Sequence, residues 1–107
     1  MECKPKEIVS YLTSDGKNVF SDWISNLKDR TARDMIDKRL ERVRLGNYGD
    51  CKSLGEGVYE LRFASGIRIY FAEIGSVIVL LLCGGNKKSQ IKDIARAKEY
   101  WREFKAR

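Results

Sequence analysis

The chain contains no histidine. That absence removes Ser-His-Asp and Cys-His catalysis, and with them any mechanism in which an imidazole is the base. Cysteine is scarce: Cys3, Cys51 and Cys83 lie far apart, and no C-x-x-C pair occurs. A structural zinc site is therefore not expected, and a reducing compartment suits the chain better than a disulfide framework. Long apolar runs are missing too. The longest, V-I-V-L-L-L-C at 77–83, falls far short of the ~20 residues that span a bilayer. The first residues, M-E-C-K-P-K-E-I-V-S-Y-L, lack the apolar centre of a signal peptide, so a cytoplasmic location without membrane contact is expected. There is no G-x-x-x-x-G-K-[ST] loop, and Gly84-Gly85-Asn86-Lys87 is too short to stand in for one. Carboxylate pairs at metal-binding spacing are absent as well. No metal and no cofactor is expected.

What is present describes one modest globular domain over residues 1–107. A single proline and nine glycines in 107 residues do not make a disordered composition. Lys and Arg outnumber Asp and Glu by 21 to 15, for a net charge of +6. From residue 54 onward ten basic side chains face six acidic ones, so the second half carries +4 of it. A basic half of this kind suits a polyanionic or acidic partner, although charge alone also fits a merely solvated surface.

Residues 6–13, K-E-I-V-S-Y-L-T, have the β-branched and aromatic content of a first strand. Ser14-Asp15-Gly16 reads as a turn, with Ser14 or Asp15 capping the helix after it. Phe20, Trp23, Ile24 and Leu27 then recur at helical spacing. A second helix, capped by Asp29 or Thr31, carries the stripe Ala32, Ile36, Leu40 and Val43 and stops at Gly46-Asn47. Its many charges, Arg39 among them, read as a solvated face. Two helices so closely joined predict an N-terminal helical hairpin. A loop follows over 47–57, with a short strand near Cys51–Leu54. Three strands come next, V-Y-E-L-R-F, I-R-I-Y-F-A-E-I and V-I-V-L-L-L-C, joined by Ala64-Ser65-Gly66 and Gly75-Ser76. Gly84-Gly85 reads as a break before a last helix over about 89–104. The expected class is α+β, a small twisted, mostly antiparallel sheet with the hairpin and the C-terminal helix packed on one face.

Strand alternation sets Arg68 and Tyr70 on one face of their strand, opposite Ile67, Ile69 and Phe71. An exposed Arg–Tyr pair offers a guanidinium for phosphate and a ring for a base. The same pair is equally consistent with a solvated face and a salt bridge from Arg68 to Glu60. Glu60 and Arg62 share a face on the preceding strand. Glu60 is the carboxylate candidate for a general base, with a cross-strand salt bridge as its competing role. Lys87 and Lys88 precede the last helix, where backbone N–H groups also meet anions. Tyr48 stands in the mid-chain loop, able to stack on a base or to pack on the core.

Several ordered blocks resemble one known family: F-S-D-W-I-S-N-L-K-D at 20–29, R-L-E-R-V-R-L-G-N-Y-G-D at 39–50 and G-V-Y-E-L-R at 57–62. They continue as R-I-Y-F at 68–71, L-L-L-C-G-G-N-K at 80–87 and D-I-A-R-A-K-E-Y-W at 93–101. Across nearly its whole length the chain resembles the RelE/ParE superfamily of type II toxin–antitoxin toxins, in particular the HigB-like addiction module killer proteins. The resemblance implies a RelE-like fold and a ribosome-dependent mRNA endoribonuclease, neutralised by a helix-turn-helix antitoxin. In such enzymes the RNA 2′-hydroxyl is the nucleophile and no metal is needed. By this resemblance Arg68 and Lys87 stabilise the phosphate, with Lys87 as an alternative acid, and Arg62 is a basic RNA-binding position. Glu60 falls where some members carry lysine, and Asp93 stands where RelE-type members have tyrosine. The superfamily also contains ParE-like inhibitors of DNA gyrase that cut no RNA, and this remains the alternative activity.

Overall fold

The computed structural model describes residues 4–107; Cys3 lies outside them. The chain opens with strand β1 (Glu7–Ser10), followed by helices α1 (Val19–Ser25) and α2 (Arg30–Arg44). Strands β2 (Cys51–Ser53), β3 (Val58–Arg62), β4 (Ile67–Ile74) and β5 (Ile78–Asn86) come next. A 3₁₀ turn over Lys87–Ser89 then leads into helix α3 (Gln90–Lys105). Among these residues no helix is long and apolar enough to cross a membrane.

The five strands form one sheet in the order β1-β5-β4-β3-β2. From β2 to β5 the chain meanders antiparallel, while β1 runs parallel to β5, with Glu7 opposite Ile78 and Ser10 opposite Leu81. This corrects the expected architecture. The opening strand lies where it was expected, but its parallel pairing makes the sheet mixed, and no N-terminal helical hairpin stands as a unit. Instead α1 lies against β5 and α2 against β1. The physical reason is that each short helix finds more apolar surface on the sheet than on its neighbour.

Helices also cover both faces, not one. On the first face Phe20 of α1 and Ile36 and Val43 of α2 pack with Leu61, Ile69 and Phe71. On the second, Ala97, Ile94 and Trp101 of α3 pack with Val58, Tyr70 and Leu82. Residues 69–72 of β4 are all fully buried, so both its faces are interior. The continuous apolar run of β5 has the composition of a strand covered on both sides.

Local chemistry sets the element ends. Asn18, rather than Ser14 or Asp15, caps α1, its side-chain oxygen accepting from the Ser21 N–H at 2.9 Å. Asp29 caps α2, accepting from the Thr31 N–H at 2.9 Å. Gly84 and Gly85 do not break the last strand, which runs through them to Asn86. Each is a point of close approach. A Cβ at Gly84 would lie 2.4 Å from the Trp23 ring of α1, and one at Gly85 would lie 1.8 Å from Asp93 Oδ2 of α3. The two glycines let one strand accept a helix on each side. A bulge between Tyr70 and Phe71 opposite β5 turns both Leu82 and Cys83 toward α3.

Candidate phosphate-binding site

The register of the sheet gathers the predicted cations. Arg62 at the end of β3 stands directly opposite Arg68 on β4, and Arg68 stands opposite Gly85 on β5. Lys87 and Lys88 follow two and three residues beyond Gly85, both exposed. Like charges directly opposite in a ladder repel, so this end of the sheet concentrates unfavourable positive charge. Arg62 has a counter-ion, with its Nε 3.3 Å from Asp50 Oδ1. Arg68 has none within ion-pair distance among the described residues. Its Nη1 donates to the carbonyls of Ile67 at 3.0 Å and Phe63 at 3.3 Å, and its Nε is buried without a partner. The salt bridge from Arg68 to Glu60 does not form, because Glu60 faces Tyr70 across the ladder instead.

Beside Arg68 the hairpin turn meets the start of the last helix. Ser65, Gly66, Asn86, Lys87 and Lys88 line an open depression of about 280 Å³. The Lys87 stem passes 3.7 Å from where a Cβ on Gly66 would lie. A reciprocal cap shapes the floor: Asn86 Oδ1 accepts from the Lys88 N–H at 2.9 Å, and Ser89 Oγ accepts from the Asn86 N–H at 3.3 Å. Two ammonium groups thus stand over a depression near a buried guanidinium, a concentration of positive charge and N–H donors.

The uncharged and acidic candidates sit elsewhere than expected. Tyr70 is wholly buried under α3, so its ring offers no exposed stacking surface. Burial first, then the neighbouring Glu60 charge, pushes its phenol well above the ordinary value. The hydroxyl lies against Glu60 without a hydrogen bond of ordinary geometry. Glu60 is only 1 % exposed. Its Oε2 accepts from Gln90 Nε2 at 2.9 Å, and its Oε1 is buried without a partner. Both corrections have one cause: α3 covers the face that carries the pair. Tyr48 lies on the other side of the sheet, its ring edge-on to Phe71 and its hydroxyl donating to Glu73 Oε2 at 2.9 Å. It belongs to the core and not to the cation cluster. Desolvation and then Glu73 raise its phenol as well.

Three residues outside the predicted site set shape its surroundings. Gln90 covers Glu60. The Asp93 carboxylate, nearly buried, accepts from Ser89 Oγ at 2.5 Å and ties the first turn of α3 together. Arg39 is no solvated charge. It donates to the carbonyls of Tyr48, Asp50 and Arg62 at 2.9, 2.9 and 3.0 Å, pinning the loop before β2 to the end of β3. The signal for Asp93 was its spacing, four residues after Ser89 and on the turn that follows Gly85. Nothing local to Arg39 sets it apart from the other arginines of α2. Among the described residues no group of three or more Cys, Asp or Glu side chains is placed to hold a metal ion.

The chain is 44% identical over 81 residues to a protein of Haemophilus influenzae named only "Uncharacterized protein", a match spanning 74% of this chain and 82% of that one. No protein-family model matches the chain.

Proposed function

We propose, for a chain that belongs to one family with this Haemophilus influenzae protein, that it is the toxin of a type II toxin–antitoxin pair. On this reading it is a RelE/ParE-type, HigB-like addiction module killer protein. It acts in the cytoplasm as a ribosome-dependent mRNA endoribonuclease and is silenced by a helix-turn-helix antitoxin. The observation that carries the reading is the alignment of Arg62, Arg68 and Gly85 across three strands, with Lys87 and Lys88 just beyond. A guanidinium held by two backbone carbonyls, with no carboxylate to neutralise it, is preorganised for a phosphate that gains charge during reaction.

In the reaction the RNA 2′-hydroxyl gives its proton to Glu60, and its oxygen bonds to the adjacent phosphorus. The P–O5′ bond breaks, and the leaving oxygen takes a proton from Lys87. The products are a 2′,3′-cyclic phosphate and a 5′-hydroxyl end. Arg68 carries the added charge of the phosphorane, and Arg62 and Lys88 hold the flanking backbone. Burial of both Glu60 and Tyr70 favours a second reading, a ParE-like inhibitor of DNA gyrase that binds without cutting. Induction without the antitoxin, with pulse labelling of protein and DNA synthesis, separates the two. Loss of protein synthesis, with cuts on ribosome-bound mRNA by primer extension, is expected for the wild type. Arg68→Ala is expected to relieve it while still binding the antitoxin. Gyrase–DNA adducts with translation intact would overturn the ribonuclease reading.

A further inference from the structure

Among the described residues three buried side-chain atoms lack hydrogen-bond partners of ordinary geometry: Glu60 Oε1, Arg68 Nε and Tyr70 Oη. They lie together. Glu60 and Tyr70 are cross-strand partners, and Arg68 is two residues along β4 on the same face. Buried polar atoms are nearly always partnered, and each orphan in a native fold calls for a physical reason. Three side by side, next to an exposed cationic depression, mark a polar interior prepared for groups that arrive with a ligand.

Helix α3 covers that interior, with Gln90 at its edge. Gln90, the first residue of α3, reaches it through one hydrogen bond, Nε2 to Glu60 Oε2 at 2.9 Å. The turn itself is secured independently of Gln90, by the Asn86 cap and by Ser89 on Asp93. The body of α3 stays seated through Ile94, Ala97 and Trp101, whereas Ile91, next to Gln90, is 89% exposed. A rotation of the Gln90 side chain breaks the side-chain hydrogen bond on Glu60 while the Asn86 cap and the Ser89–Asp93 bond keep the turn in place. An amide that leaves a carboxylate can donate equally well to a phosphate or ribose oxygen.

Resting on the ribonuclease reading above, we propose that Gln90 is a positioning residue, latching Glu60 shut in the free protein and releasing it as proton acceptor when RNA occupies the depression. The latch accounts for a base that is sealed until substrate is presented. It also places the phosphate-binding lysine and the positioning amide on a single turn, Lys87–Gln90, so that one contact both holds the RNA and frees the carboxylate.

The variant is Gln90→Met, which keeps the side-chain length and helix propensity and deletes the amide. Gln90→Asn, too short to reach Glu60, serves if the first misfolds by circular dichroism. One readout is independent of activity: the rate at which a water-soluble carbodiimide labels Glu60, followed by mass spectrometry with exposed Asp50 as internal standard. Losing a hydrogen bond to a charged group is expected to raise that rate by about tenfold or more. The second readout is cleavage of naked RNA without ribosomes, where kcat is expected to rise about tenfold at unchanged KM. A purely structural Gln90 would leave kcat and labelling flat or lower cleavage through misfolding. Unchanged labelling in a folded variant, with ribosomal cleavage intact in the wild type, overturns the latch alone. If the wild type cuts no RNA on or off the ribosome, the ribonuclease reading fails and the positioning role falls with it, whatever the labelling.

Discussion

Replacing Gly85 by alanine should be the most informative small change in this protein. The added methyl would sit 1.8 Å from Asp93 Oδ2 and 2.9 Å from Ser89 Oγ, so α3 must lift or the carboxylate must rotate away. Overpacking of this kind costs about 1–3 kcal/mol, and losing the hydrogen bond from Ser89 to the charged Asp93 adds about 1.5–3 kcal/mol. Part of the second loss is recovered by water at the helix end. The expected destabilisation is roughly 2–5 kcal/mol, or a fall in Tm of roughly 10–25 °C at the sensitivity usual for a domain this size. Urea unfolding should show a lower midpoint at an unchanged slope, since the surface exposed on unfolding is the same. The decisive comparison is a double-mutant cycle with Asp93→Ala, which empties the space the methyl needs. In that background Gly85→Ala should cost under about 1 kcal/mol, giving a coupling of roughly 2 kcal/mol. Additive costs would refute the claim that Gly85 exists to admit the Asp93 carboxylate.

Arg39→Lys should cost roughly 2–3 kcal/mol despite the retained charge, because an ammonium cannot serve three carbonyls held in guanidinium geometry; urea titration measures it, and a neutral result would show the loop is held by other contacts. The Tyr11 phenol is raised from 10.0 to about 12, by burial first and then by its hydrogen bond to Glu103. A raised folded-state value means the unfolded chain ionises first, so stability is complete below pH 10 and falls as pH climbs from 10 toward about 12. Tyr11→Phe should flatten that alkaline decline in pH-dependent melting; an unchanged slope would place the loss in other groups.

Local signals carried much of the fold. β4 was legible from end to end, because strict alternation is bracketed by Gly66 and Gly75, both at positive φ, 98° and 60°. Asp29 and Gly46 likewise marked the ends of α2 by side-chain and backbone chemistry that needs no tertiary context. What stayed hidden was non-local. No residue in Glu7–Ser10 announces a parallel partner as distant as β5. Alternation put Arg68 and Tyr70 on one face of β4 and Glu60 and Arg62 on one face of β3, but a period of two cannot say whether a helix will cover them. The cations of the candidate site were therefore readable as types and spacings. The burial of the acid and the phenol beside them depended on where α3 comes to rest. Gly84-Gly85 misled for a related reason: glycine in a strand marks a turn or a close approach, and only the neighbours decide which.

The parallel pairing of β1 with β5 has a consequence in time. The Lys6 ammonium bonds the carbonyl of Ser76, a residue 70 positions later, and α1 rests on the same distant strand. At ordinary rates of synthesis, roughly 5–20 residues per second, some 4–14 s pass between the emergence of the two. Throughout that interval the first strand lacks its ladder partner and the first helix lacks the strand it mainly rests on. They stay available to whatever else binds an unpaired strand edge. The last residues of β5 to emerge, Gly84 to Asn86, are also those that seat α1 on one face and α3 on the other and lead into Lys87. Completion of the sheet and completion of the cationic site are thus one event, and a chain interrupted before β5 carries neither.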